Sequence, residues 1–157
     1  MNKPYPPVSY PDYLQVEKIT NAQFPKSDEY KKPAHDEMLF IIVHQTYELW
    51  FKQILWEIDS VIEKFSQDKI DEVHMLKMVS RLERVIEIQK VLISQIDVLE
   101  TMTPLDFLDF REFLVPASGF QSAQFRLIEN KMGLNARLKF NNDDYKKILK
   151  HHHSIVR

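Results

Sequence analysis

HDEMLFIIVHQTYELWFKQILWEIDSVIEKF, residues 35–65, reads as one long amphipathic helix. Phe40, His44, Tyr47, Phe51, Leu55, Ile58 and Ile62 recur three or four positions apart, the spacing that aligns side chains on one helical face. Leu39, Val43, Trp50, Ile54 and Val61 widen that face, so the helix is expected to be buried on more than one side. A second long helix is predicted from Lys69 to Glu100, with Val73, Leu76, Val79, Leu82, Ile86, Val91 and Ile96 among its apolar positions. The Ser66–Asp68 connection is short, which favours antiparallel packing of the pair.

Working outward, Thr103-Pro104 opens a third helix: a threonine N-cap followed by proline at the first helical position is a start signal, and Asp106 suits the first turn. That helix should end before Pro116. A loop, Pro116-Ala117-Ser118-Gly119, precedes a fourth helix from Phe120 to Met132, closed by Gly133 as a left-handed C-cap. Asn142 or Asp143 is placed to cap a last short helix reaching Lys150. Toward the N-terminus, Asp12–Ile19 reads as a short helix and Pro25–Pro33 as a polar loop. Pro4, Pro6, Pro7 and Pro11 among tyrosines make the first eleven residues an extended arm. The expected class is all-α: a helical bundle with two long antiparallel helices, shorter helices and that arm. The expected division is residues 1–34 for arm, short helix and loop, and 35–157 for the helical core.

Composition removes several functions. The 157 residues, 44% hydrophobic and 28% charged, suit one soluble globular domain. A formal charge of -2 gives no overall attraction for nucleic acid or acidic membranes. With no cysteine there is no disulfide framework and no thiolate metal site, and with two glycines there is no phosphate-cradling loop. No segment offers the ~18 uninterrupted apolar residues of a membrane span or the apolar core of a signal peptide, so a cytoplasmic protein is expected.

Two polar residues interrupt apolar stripes. His44 lies one turn from Phe40 and one turn from Tyr47; a buried imidazole wants partners for both ring nitrogens, so it is either a core histidine bonded to a neighbour or a ligand contact. Arg111 lies between Phe107 and Leu114 and either snorkels to a surface carboxylate or grips an anion with its guanidinium fork. Periodicity does not decide whether Phe40, Tyr47, Trp50 and Phe51 are plain core or a cofactor wall. His35 and His74 read as surface or capping residues. His151, His152 and His153 look metal-binding, yet consecutive helical residues point apart and seldom converge on one ion.

The stretch from His35 to Glu57, with Leu99-Glu100-Thr101-Met102-Thr103-Pro104-Leu105-Asp106-Phe107, Asp109-Phe110-Arg111-Glu112-Phe113-Leu114 and Pro116-Ala117-Ser118-Gly119-Phe120-Gln121-Ser122, resembles the tryptophan 2,3-dioxygenase family. Tyr10-Pro11-Asp12-Tyr13-Leu14 fits as well, so the likeness runs from about Tyr10 to Leu134. It implies an all-helical homotetramer that binds haem b and, with dioxygen, opens the indole ring of L-tryptophan to N-formylkynurenine, the first step of the kynurenine pathway. By the same resemblance His44 is the distal histidine that hydrogen-bonds the indole N–H, and Phe40 and Phe107 are walls around the indole. Arg111 clamps the substrate carboxylate, and Leu114 helps line the pocket. Ser118 and Gly119 belong to a loop over haem and substrate, with Phe125 nearby. Tyr10, Tyr13 and Leu14 reach into a neighbouring subunit's site.

In that family the histidine that ligates iron and the threonine that meets the substrate ammonium lie in a C-terminal helical region. Neither has a counterpart among these residues, and His151, His152 and His153 do not align with the iron ligand. The resemblance therefore implies that these 157 residues alone lack dioxygenase activity and need the remaining portion of the enzyme. The alternative is a non-catalytic helical oligomerisation or indole-binding module. A four-helix metal carboxylate protein would require paired Glu-x-x-His motifs, which are absent.

Overall fold

A computed structural model describes residues 5–67 and 69–134; the expected last short helix to Lys150 and His151–His153 lie outside them. The described residues are helical with no strand, as the periodicity predicts. Two long helices dominate, α4 (Glu37–Phe65) and α5 (Glu72–Leu99). Their partners run in opposite order along the chain. Gln95 Nε2 donates to Thr46 Oγ1 at 3.2 Å, Tyr47 Oη to the Leu92 carbonyl at 2.5 Å, and Arg84 Nη1 to Glu57 Oε1 at 2.5 Å, so the pair is antiparallel. A third helix, α7 (Ala123–Lys131), lies along α4 in the same direction, since Gln124 bonds Glu48, Phe125 meets Phe51 and Lys131 pairs with Asp59. Ile54 and Ile58 of α4, Val85, Ile88 and Leu92 of α5, and Ile128 of α7 close the core between the three.

The core face of α5 differs from the expected one. Val73, Leu76, Val79, Leu82, Ile86, Val91 and Ile96 are all exposed, and the buried stripe is Met78, Val85, Ile88 and Leu92. Because α5 carries apolar residues around much of its circumference, periodicity offers two faces and the match to α4 selects one. On α4 it is the flanking residues Val43, Ile54 and Val61, with Ile58, that are buried, while Ile62 is exposed.

Smaller corrections have local causes. The predicted Asp12–Ile19 helix is two, α1 (Tyr10–Leu14) and α2 (Val16–Thr20), because Gln15 adopts the left-handed conformation with φ 53°. The predicted Pro25–Pro33 loop contains α3 (Lys26–Glu29). The fourth long segment begins as a 3-10 turn, Gly119–Gln121, and becomes α7 only where Ser122 Oγ accepts the Phe125 N–H. Gly133, at φ 74°, closes it as predicted. Among the described residues no helix is long and apolar enough to cross a membrane.

Helix α6 (Pro104–Arg111) starts as its sequence demands. Thr103 Oγ1 accepts the Asp106 N–H and Asp106 Oδ2 accepts the Thr103 N–H, a reciprocal capping box. Those bonds from Thr103 hold the Asp106 carboxyl below its ordinary value of 3.8; bonds from the His74 backbone and ring do the same for Asp71, the N-cap of α5. A carboxyl whose folded pKa lies below its unfolded one lends stability that is complete above 3.8 and disappears as pH falls through the lowered value. Asp106→Asn should therefore flatten part of the acid loss of stability, read as thermal unfolding from about pH 5 down to about pH 2. An unchanged acid profile would mean that the box is not populated.

Candidate functional site

His44 sits in the second full turn of α4, where the helix is flanked by α7 and the Ser118 loop. Its Nδ1 lies 2.7 Å from the Phe40 carbonyl. A carbonyl only accepts, so in the neutral ring Nδ1 carries the proton and Nε2 keeps its lone pair. Nε2 makes no hydrogen bond among the described residues. The bond inside its own helix is the one expected of a core histidine, and it leaves the second ring nitrogen without a partner among the described residues.

His44 borders a space of about 410 Å³ walled by Tyr47 and Phe51 of α4, Leu99 of α5, Ser118 and Gly119 of the loop, and Phe125 of α7. The wall is mostly apolar. Its polar members include His44, Glu48, Ser118, Ser122 and Arg126, the last buried, with Nη1 donating to Glu129 at 2.6 Å. Tyr47 contributes a ring and no base, since its hydroxyl donates to Leu92 and burial pushes its pKa up. A second hollow, about 470 Å³, lies beside the first and shares His44 and Glu48; Lys18, Ile19 and Ala22 of the N-terminal segment form part of it.

Three more of the predicted residues, Phe40, Phe107 and Arg111, form a ladder leading away from His44. The Phe40 ring is 4.0 Å from the His44 ring and 5.8 Å from that of Phe107, and the Arg111 guanidinium lies over Phe107 at 5.5 Å. Phe110, fully buried, supports both phenylalanines, edge-on to Phe40 at 5.5 Å and perpendicular to Phe107 at 5.4 Å. Arg111 is exposed and makes no ion pair among the described residues, so its side chain covers the Phe107 ring while its guanidinium stays open to solvent or to an anion. Thus His44, Ser118, Gly119 and Phe125 line the hollow, while Phe40, Phe107 and Arg111 adjoin it through the Phe40–His44 contact without lining it.

Leu114 is half-buried in the 3-10 turn after α6 (Glu112–Leu114), and its carbonyl accepts the Ala117 N–H at 2.6 Å, aiming the chain toward Ser118. The Val115–Pro116 peptide there is cis. Ser118 Oγ accepts the Phe120 N–H and the Ser118 N–H donates to Gln121 Oε1, which fixes the loop; a Cβ added at Gly119 would meet nothing within 4 Å. Tyr10, Tyr13 and Leu14 lie on α1, exposed, and none of them lines either hollow. The sequence left Tyr47 and Phe51 open between plain core and wall, and it gave no sign of Arg126. Spacing from His44 marks the first two, one and two turns onward; no spacing marks Arg126.

Comparison with known proteins settles the ancestry of this arrangement. The family model for tryptophan 2,3-dioxygenase matches residues 5–155. The chain belongs to the tryptophan 2,3-dioxygenase family. Among curated tryptophan 2,3-dioxygenases, that of Bdellovibrio bacteriovorus is 61% identical over 147 residues, covering 92% of this chain and 41% of the relative. The tryptophan 2,3-dioxygenase of Anopheles gambiae is 54% identical over 134 residues, covering 84% of this chain and 34% of the relative. The chain thus spans well under half the length of these family members. Among the described residues no three His, Asp or Glu side chains are grouped to hold a metal ion.

Proposed function

We propose that this chain supplies the tryptophan-facing side of a haem b-dependent tryptophan 2,3-dioxygenase, which converts L-tryptophan and dioxygen to N-formylkynurenine. The observation that carries the reading is the order of groups along the ladder. An imidazole lone pair, two phenylalanine rings and a guanidinium follow one another as His44, Phe40, Phe107 and Arg111. Tryptophan needs the same order: an acceptor for its one ring N–H, apolar surface for its indole, and a cation for its carboxylate. His44 Nε2 then accepts the indole N–H, with Nδ1 locked by Phe40 so that the ring is aimed before substrate arrives. Arg111, already in place on Phe107, takes the carboxylate.

What supports haem b is the chemistry of the wall. A porphyrin offers a flat apolar face and two carboxylate tails; Phe51, Phe125 and Leu99 suit the first, and the Arg126 guanidinium suits one of the second. Ser118 and Gly119 would lie against the ring system, and the open space beside Gly119 lets a ligand approach the backbone closely. Bound haem supplies the redox-active iron for dioxygen chemistry, and its ligand is expected from the portion of the enzyme that these residues do not span. The indole C2–C3 bond breaks and each carbon gains one oxygen atom, so no external reductant is consumed. The chain's own residues orient that bond and keep water from it; His44 positions the substrate rather than acting as an obligatory base.

The proposed setting is a cytoplasmic homotetramer, with the arm of one subunit covering the site of the next. The exposure of Tyr10, Tyr13 and Leu14 supports that exchange. His44→Ala in the native holoenzyme should lower kcat/KM for L-tryptophan about tenfold, the worth of one neutral hydrogen bond of ~1.4 kcal/mol. The same change should leave 1-methyl-L-tryptophan, which has no ring N–H, unaffected in its binding. Equal effects on both ligands would contradict the assigned bond.

A further inference from the structure

The Glu37 carboxylate is 1% exposed, yet makes no ion pair among the described residues. Its two oxygens accept two backbone N–H groups ten and eleven residues upstream, Oε1 from Lys26 at 2.7 Å and Oε2 from Ser27 at 2.9 Å. These are the first two amides of α3, a four-residue helix too short to stand unaided. Ser27, itself fully buried, closes the loop back onto α4: its hydroxyl accepts the Ala34 N–H at 3.1 Å and its carbonyl the Lys32 N–H at 2.8 Å. Burying a carboxylate against two amides is costly compared with leaving it in water, so its position calls for a geometric reason.

That reason lies at the far side of the loop. Tyr30, the residue ending α3, stacks on Phe113 with ring centroids 5.0 Å apart and planes 25° apart. Lys32 lies 5.7 Å over the same Phe113 ring and 3.4 Å from Glu112. Glu112 and Phe113 directly follow Arg111. Glu37, in turn, opens the helix that carries Phe40 and His44. One carboxylate therefore links the helix holding the imidazole to the segment holding the guanidinium, through α3 and the Tyr30–Phe113 stack.

We infer that Glu37 is a positioning residue that sets the separation of Arg111 from His44, and so the grip on the substrate's carboxylate. This rests on the role proposed above for Arg111. The test is Glu37→Gln in the native holoenzyme, because glutamine keeps the size but turns an NH2 group toward one of the two amides. KM for L-tryptophan should rise about tenfold with kcat within about twofold, the signature of lost binding shared by ground and transition states. The inhibition constant of tryptamine, which has no carboxylate, should not move. Tyr30→Ala should reproduce this split while leaving the Glu37 bonds intact, and the double variant should be no worse than the worse single one.

Equal losses for L-tryptophan and tryptamine in either variant, or an unchanged KM in a folded Glu37→Gln enzyme, would overturn the inference. Arg111→Ala separates the two levels. If it shows the L-tryptophan-specific loss and Glu37→Gln does not, Glu37 is structural only; if Arg111→Ala itself spares L-tryptophan, the role of Arg111 fails first.

Discussion

Arg111→Ala in the native holoenzyme is expected to lower kcat/KM for L-tryptophan by about 10²- to 10³-fold, with most of the loss in KM; this is the factor that ~3–4 kcal/mol of charge-assisted carboxylate binding produces. The size of the effect carries information beyond its sign. In this chain Arg111 is exposed. An exposed ion pair is worth at most ~1 kcal/mol, a loss of only a few-fold. A 10²-fold loss therefore requires that the guanidinium be covered in the assembled enzyme, the task proposed for Tyr10, Tyr13 and Leu14 of a neighbouring subunit. Arg111→Lys should fall between the two, because the charge remains while the planar fork and its stacking on Phe107 are lost. Steady-state kinetics on the three enzymes checks this, and a loss under fivefold for the alanine variant would mean that the site is open or the contact wrong.

Phe110→Ala is expected to destabilise the fold by about 3–5 kcal/mol, the usual cost of emptying a buried phenylalanine site. The residue has no exposed surface and supports both Phe40 and Phe107. Its neighbours are rings attached to α4 and α6, which cannot close over the gap without losing the contacts that link His44 to Arg111. Phe110→Leu, which fills most of the volume, should cost about 1 kcal/mol. Denaturant unfolding of the native enzyme and both variants measures the difference. A leucine variant as unstable as the alanine one would show that ring geometry, not volume, is what the site requires.

Much of this was legible in the chain because the deciding signals are local. The Thr103-Pro104 start of α6, the Gly133 stop of α7 and the length of α4 each depend on residues within one or two turns. His44 and Arg111 stood out for the same reason, as polar groups on apolar faces. What escaped depends on distant partners. Helix α3 exists because Glu37, ten residues on, caps it. The buried face of α5 is set by the shape of α4, not by its own pattern, which is why Val85 and Leu92 are covered and Leu76 and Ile86 are not. Arg126 is a hollow-lining cation only because α7 lies along α4, a register that nothing near residue 126 encodes. Local features missed outright are the left-handed Gln15 and Lys31, conformations that their residue types do not announce.

A crystal structure of the native holoenzyme with bound L-tryptophan reaches the core of the account most directly. The indole nitrogen is predicted within hydrogen-bonding distance of His44 Nε2, with the carboxylate held by Arg111 of the same chain and the ring packed against Phe40 and Phe107. A tryptophan whose ring nitrogen faces away from His44, with its acid group on some other cation, would contradict it.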